Sequence, residues 1–103
     1  MIYTEDKIAD LKSLYLRGKY EDVIVQGLEA AKELESLAPM LAFTREMANR
    51  ASLIAAEGND ERKKITALSD YRRAQVAERL CKNYLKEIRE VMADADSFLT
   101  LVA

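Results

Sequence analysis

The stretch Glu61–Leu101, ERKKITALSDYRRAQVAERLCKNYLKEIREVMADADSFLTL, contains neither glycine nor proline. Most of its residues are Ala, Leu, Lys, Arg and Glu, which lose little on entering a helix. At 1.5 Å per residue it predicts a rod of roughly 60 Å. Ala74, Ala77, Cys81, Tyr84, Ile88, Val91, Ala95, Phe98 and Val102 follow one another by alternating steps of 3 and 4. Such a heptad repeat is the signature of coiled-coil packing. A second row, Leu85, Met92 and Leu99, recurs every seven residues beside the first. Two adjacent rows make a stripe wider than a simple two-stranded contact needs. One seam is expected to pack on the preceding helix and the other to meet a second subunit. The predicted homo-oligomer interface is Tyr84, Leu85, Ile88, Val91, Met92, Ala95, Phe98 and Leu99. The alternative is that one four-helix monomer buries both seams.

Outward from this helix, Gly58 closes the segment before it, and Asn59 or Asp60 can cap its start. Pro39 suits the first turn of a third helix, where its missing N–H is not needed. Met40, Phe43, Met47, Ala51 and Ile54 then follow at steps of 3, 4, 4 and 3, a narrow core stripe. Thr4 is a candidate N-cap, with Glu5 and Asp6 on the first turn, where the helix dipole favours negative charge. Ile8, Leu11, Leu14 and Tyr15 recur at helical spacing up to Gly18. Tyr20, Val23, Ile24, Gly27, Leu28, Ala31 and Leu34 then share one side of a second helix, which is expected to stop before Pro39. The predicted fold is all-α, a helical bundle in one domain of 103 residues. It comprises an acidic N-terminal helical hairpin (1–38), a third helix (39–58) and one long amphipathic C-terminal helix with coiled-coil-like heptads (59–103). Residues 18–24, GKYEDVI, echo a tetratricopeptide unit, but one copy cannot stack into an array. It reads as an ordinary helix-turn-helix.

Composition narrows the function. The chain has no histidine and a single cysteine, Cys81. Zinc-finger frameworks, intramolecular disulfides and imidazole catalysis are thereby excluded. No Gly-rich phosphate loop, HExxH, GxSxG or EF-hand pattern occurs. Carboxylate pairs such as Glu29 with Glu33, or Asp94 with Asp96, are ordinary for helices of this composition. Cys81 lies on the heptad seam, where a small buried hydrophobe is expected rather than a nucleophile. A non-enzymatic protein is expected, with no cofactor, no metal and no small-molecule substrate. No secretory signal or apolar run long enough for a membrane span is visible, so the expected location is cytoplasmic, the host cytoplasm if the protein comes from a phage.

The net charge of -2 conceals an asymmetry. Residues 1–60 hold 7 Lys/Arg against 11 Asp/Glu, and residues 61–90 hold 9 against 5. Arg62, Lys63, Lys64, Arg72, Arg73 and Arg79, with Tyr71 among them, form a basic band. Basic side chains with an interleaved aromatic can follow a phosphate backbone and stack a base. A solvated face, with Glu61, Asp70 and Glu78 pairing with several of these cations, explains the band without any ligand and is the reading the band alone favours. In an oligomer the band would be replicated, and weak contacts would gain avidity.

Asp60-Glu61-Arg62-Lys63-Lys64, then Ala67, Asp70, Arg72-Arg73, Ala77-Glu78-Arg79-Leu80 and Tyr84-Leu85-Lys86-Glu87-Ile88-Arg89, resembles the UvsY-type recombination mediators and related small helical phage proteins. The similarity spans about residues 43–100 and lies in spacing and residue class. It implies a helical oligomer that binds single-stranded DNA and helps load a recombination protein, with Lys63, Lys64, Arg72 and Arg73 at the DNA-contacting positions. The rival expectation is a protein-interaction module, an adaptor or inhibitor, whose acidic helices meet a basic partner. A virion scaffold would need the seam alone.

Overall fold

In the computed structural model the backbone is described for residues 2–102 and the side chains for residues 4–101. The side chain of Val102, placed last on the first seam, lies outside the described residues. Among those described there are three helices and no strand: α1 (Ile2–Leu16), α2 (Tyr20–Glu57) and α3 (Glu61–Val102). The all-α class and the long C-terminal helix are as the sequence predicts. No described helix is long and apolar enough to cross a membrane.

The helix ends follow local chemistry. After α1, Gly18 adopts φ +74°, a left-handed conformation that only glycine takes without strain. Gly18 N–H donates to the Tyr15 carbonyl and Lys19 N–H to that of Leu14, both at 3.0 Å. This Schellman pattern satisfies carbonyls that the helix end would leave unpaired. At the start of α3, Asp60 Oδ1 accepts the N–H groups of Arg62 (3.0 Å) and Lys63 (3.3 Å), so Asp60 is the N-cap. α1 begins at Ile2, which puts Thr4 inside the helix rather than at its cap.

The expected break at Pro39 does not occur. α2 runs through it as one helix of 38 residues, so the separate segments ending at 38 and starting at 39 are one element. Proline removes one backbone hydrogen bond and crowds the carbonyl four residues earlier, at about 3 kcal/mol. Pro39 is solvent-exposed, so water can reach that carbonyl. Strong helix formers on both sides, Leu34 to Ala38 and Met40 to Ala42, sustain the helix across the defect.

Contacts divide the chain into two units. The first contains the residues up to 35 and those from 82 onward; the second is 36–81. In the first unit, α1, the first half of α2 and the last half of α3 pack as three helical segments. Tyr84 Oη donates to Glu5 Oε1 at 2.6 Å, and Phe98 meets Tyr15 with ring centroids 5.9 Å apart. These two contacts set α3 parallel to α1. Arg89 bridges to Glu35 at 2.6 Å, and Met92 lies over Gly27. Those pairs set α3 antiparallel to α2.

The core of this unit is Ile8, Leu11 and Leu14 from α1, Val23, Ala30, Ala31 and Leu34 from α2, and Tyr84, Ile88 and Ala95 from α3. Each of the fully buried side chains Leu11, Val23 and Ile88 contributes about 1.5–3 kcal/mol through burial. Leu28, expected on the inner face, points outward, and Ala30 takes an inner position instead. Gly27, Ala30 and Ala31 form a small-residue row in α2. A Cβ built on Gly27 would stand 2.5 Å from Met92 Cγ, so α3 approaches closely here because the side chain is absent.

Most of the residues predicted as an oligomer interface make contacts within the chain. Tyr84, Ile88 and Ala95 are buried within the chain, and Val91 packs on the Leu14–Val23–Ala95 cluster. Leu85, Met92 and Leu99 are half-buried, and Phe98 stacks on Tyr20 at 5.0 Å. The stripe is wide because two helices of its own chain, α1 and α2, each take one side. Phe98 remains 41% exposed.

The second unit is a helical hairpin, 36–57 against 61–81, turning through residues 58–60. Arg45 Nε donates to Glu78 Oε2 at 2.5 Å across it, a hydrogen bond that raises the Arg45 pKa further above its usual value. Ala74 and Cys81 are the buried residues here. The predicted core stripe is on the outside: Met40 is 63%, Phe43 61% and Ile54 71% exposed, with Met47 at 37%. Two helices can cover only one face of each other. On α2 that face is Leu41, Arg45, Ala48, Ser52 and Ala55, all partly buried. At 100° per residue the Met40–Ile54 stripe lies roughly 120° around the helix from it.

Candidate interaction surface

The hairpin therefore carries the least satisfied surface of the chain. Leu37, Met40, Phe43, Met47, Leu53, Ile54, Ile65, Leu68 and Val76 are all exposed apolar side chains. Scattered exposed apolar residues are normal, but Met40, Phe43, Met47 and Ile54 share one face of α2, and an apolar row of that kind can serve as an interaction surface. Phe43, Met47, Ala51 and Ala55 line one wall of an open groove of about 770 Å³. Arg62, Lys63, Thr66, Ala67 and Asp70 of α3 form the other wall, with Asp60 at its end. Apolar walls with a few charged groups at the rim suit a side-chain ridge from another helix.

The predicted basic band is present, but its members do not share a face. Lys64 is bridged to Glu61 at 3.2 Å. Arg62 and Lys63 border the groove. Arg72 and Arg73, being consecutive, project about 100° apart. Arg79 projects close to the direction of Arg72, away from the groove. Among the described residues, Arg62, Lys63, Arg72, Arg73 and Arg79 form no ion pair. Pairing along the helix thus holds for Lys64 and is absent for these five, which are exposed to solvent. Tyr71 is half-buried and its hydroxyl accepts a hydrogen bond from Gln75 Nε2 at 3.1 Å. Its ring is only partly available as a stacking platform.

Other chemistry-bearing groups are held in the structure. Cys81 is buried, and burial pushes its thiol pKa up, which suppresses thiolate nucleophilicity. Tyr84 is raised by its hydrogen bond to Glu5 and by burial, and Tyr15 by burial and by Asp94. No group of three or more Cys, Asp or Glu among the described residues is arranged to hold a metal ion. The exposed stripe 40–54 was visible in the sequence as a periodic row, but its direction was not. The unused signal was the second row, Leu41, Ala48, Ser52 and Ala55, whose small side chains suit close helix packing. No family model, no curated protein and no solved structure matches this chain.

Proposed function

We propose that the chain acts by association rather than by catalysis, as a self-associating helical protein joined through the 36–81 hairpin. The observation that carries this reading is the exposed row Met40, Phe43, Met47 and Ile54. At roughly 25 cal/mol per Å² of apolar surface, covering these side chains would be favourable. A second reading concerns phosphate. Five cations on residues 62–79 have no carboxylate partner among the described residues, and self-association would place two such sets in one particle. Backbone contacts of that kind are independent of base sequence and weaken with salt. The resemblance to UvsY-type mediators makes single-stranded DNA the polyanion to try first.

Native mass measurement and sedimentation velocity over a range of concentrations, with and without an oligonucleotide, test both readings. The species is expected to shift from monomer to oligomer as concentration rises. Met47→Glu is expected to hold it monomeric, since an unpaired carboxylate is costly in an apolar contact. A monomer at every concentration removes the association reading. Absence of an oligonucleotide complex at low salt removes the phosphate reading.

A further inference from the structure

We infer that the groove of the 36–81 hairpin receives the outer face of residues 21–33 of α2 from a second copy, so that copies join head to tail. The inference rests on the association reading above and adds the occupant. Charge decides between the surfaces that a second copy offers. Residues 36–81 hold 8 Lys/Arg against 6 Asp/Glu, while residues 1–35 and 82–103 together hold 8 against 12. A hairpin docked on another hairpin would bring two net-positive units together. A hairpin docked on the first unit of another copy brings opposite signs together.

The local charges carry the same bias, at matching spacing. At the groove, Asp60 is committed to the N–H groups of Arg62 and Lys63, and Asp70 is the one other carboxylate in the walls. Arg62 and Lys63 form no ion pair among the described residues. Arg73, eleven residues after Arg62, projects within roughly 20° of it and about 16 Å further along α3. On the first half of α2, Val23, Gly27, Ala30, Ala31 and Leu34 face inward. The opposite side exposes Val25 at 58% and Leu28 at 57%. Around them stand the exposed carboxylates of Glu21, Asp22, Glu29 and Glu33, with Lys32 as the one cation within 21–33. None of these four carboxylates is ion-paired among the described residues. Asp22 and Glu33 are also eleven residues apart, so they repeat the separation of Arg62 and Arg73. Of the two directions in which a helix can lie along the groove, one turns the Asp22–Glu33 line toward α3. Val25 and Leu28 then form the inserted ridge, and the small side chains of Ala48, Ala51, Ala55 and Ala67 leave room for it. The contact uses a different surface on each copy, so every copy can be both host and guest.

Mixing variants that are each blocked at one half tests the pairing. Met47→Glu spoils the groove and leaves the guest face intact. The double variant Val25→Lys/Leu28→Lys spoils the guest face at exposed positions and leaves the groove intact. Each is expected to sediment as a monomer by itself at concentrations where the unaltered chain associates. Their mixture is expected to form a 1:1 complex, one intact groove holding one intact ridge, that grows no further. That complex is expected to weaken as salt rises, because the flanking charges are exposed. Glu29→Lys/Glu33→Lys, which keeps the apolar ridge, is expected to behave as the other guest-side variant does, and unchanged circular dichroism shows that each variant is folded. A folded guest-side variant that associates as the unaltered chain does overturns the inference while leaving association standing. So does a mixture that stays monomeric. An unaltered chain that is monomeric at every concentration overturns both.

Discussion

Gly27 is where helix propensity and packing disagree. Glycine inside a helix is about 1 kcal/mol worse than alanine, so propensity alone predicts that Gly27→Ala stabilises. The space argument has the opposite sign, because the new methyl would stand 2.5 Å from Met92 Cγ and 2.7 Å from its Sδ. Overfilling a packed contact costs about 1–3 kcal/mol, moderated here by the flexible methionine. The expected outcome of urea denaturation is a net loss of about 1 kcal/mol. A gain would mean that Met92 gives way freely. Tyr84 supplies a pH dependence. Its pKa lies above the ordinary 10.0 in the folded chain, first through the hydrogen bond to Glu5. The unfolded chain therefore loses this proton first. The Tyr84 contribution is complete below pH 10 and is lost as pH rises through the folded pKa. Tyr15 is shifted in the same direction, so the comparison is with Tyr84→Phe. That variant is expected to melt lower at neutral pH and to show a shallower fall in melting temperature between about pH 9 and 11.

At the scale of elements, what could be read in advance was whatever local chemistry alone decides. Gly18 ends α1 and Asp60 caps α3, because a left-handed residue and a short acceptor side chain act over only a few residues. The length of α3 followed from uninterrupted helix formers. Pro39 does not end α2, because its local penalty of about 3 kcal/mol is not decisive by itself. A helix of 38 residues spreads that single defect over many intact turns. The heptad seam is legible in the sequence, and the helices that pack on it are not. Periodicity says which side of α3 is apolar and nothing about which helix covers it. Residues 84–95 found cover on α1 and α2, while the row at 40–54, with the same kind of spacing, found none. The difference is a count of neighbouring helices, and no window of sequence contains that count. The candidate site was thus legible as a pattern, while its exposure depended on tertiary partners.

Across the whole molecule, the two units are stabilised unequally, and amide hydrogen exchange can read the difference. The first unit buries aliphatic side chains from three helical segments, with Leu11, Val23 and Ile88 fully enclosed. Opening its amides means exposing that core, so their exchange approaches the limit set by global unfolding. The 36–81 unit holds only Ala74 and Cys81 as buried side chains, and one ion pair, Arg45–Glu78, crosses its two helices. Local opening there exposes little apolar surface. Its mid-helix amides are therefore expected to exchange roughly a hundredfold faster than those around Leu11 and Ile88, a gap of about 2.7 kcal/mol. The gap is also expected to narrow with protein concentration. Covering the Met40–Ile54 row would couple its opening to dissociation, so protection should rise first along 40–54 and should stay flat in Met47→Glu. Uniform protection in dilute solution would mean that the hairpin draws stability from something other than buried side chains. Protection that rises with concentration along 84–99 instead would return the interface to the heptad seam.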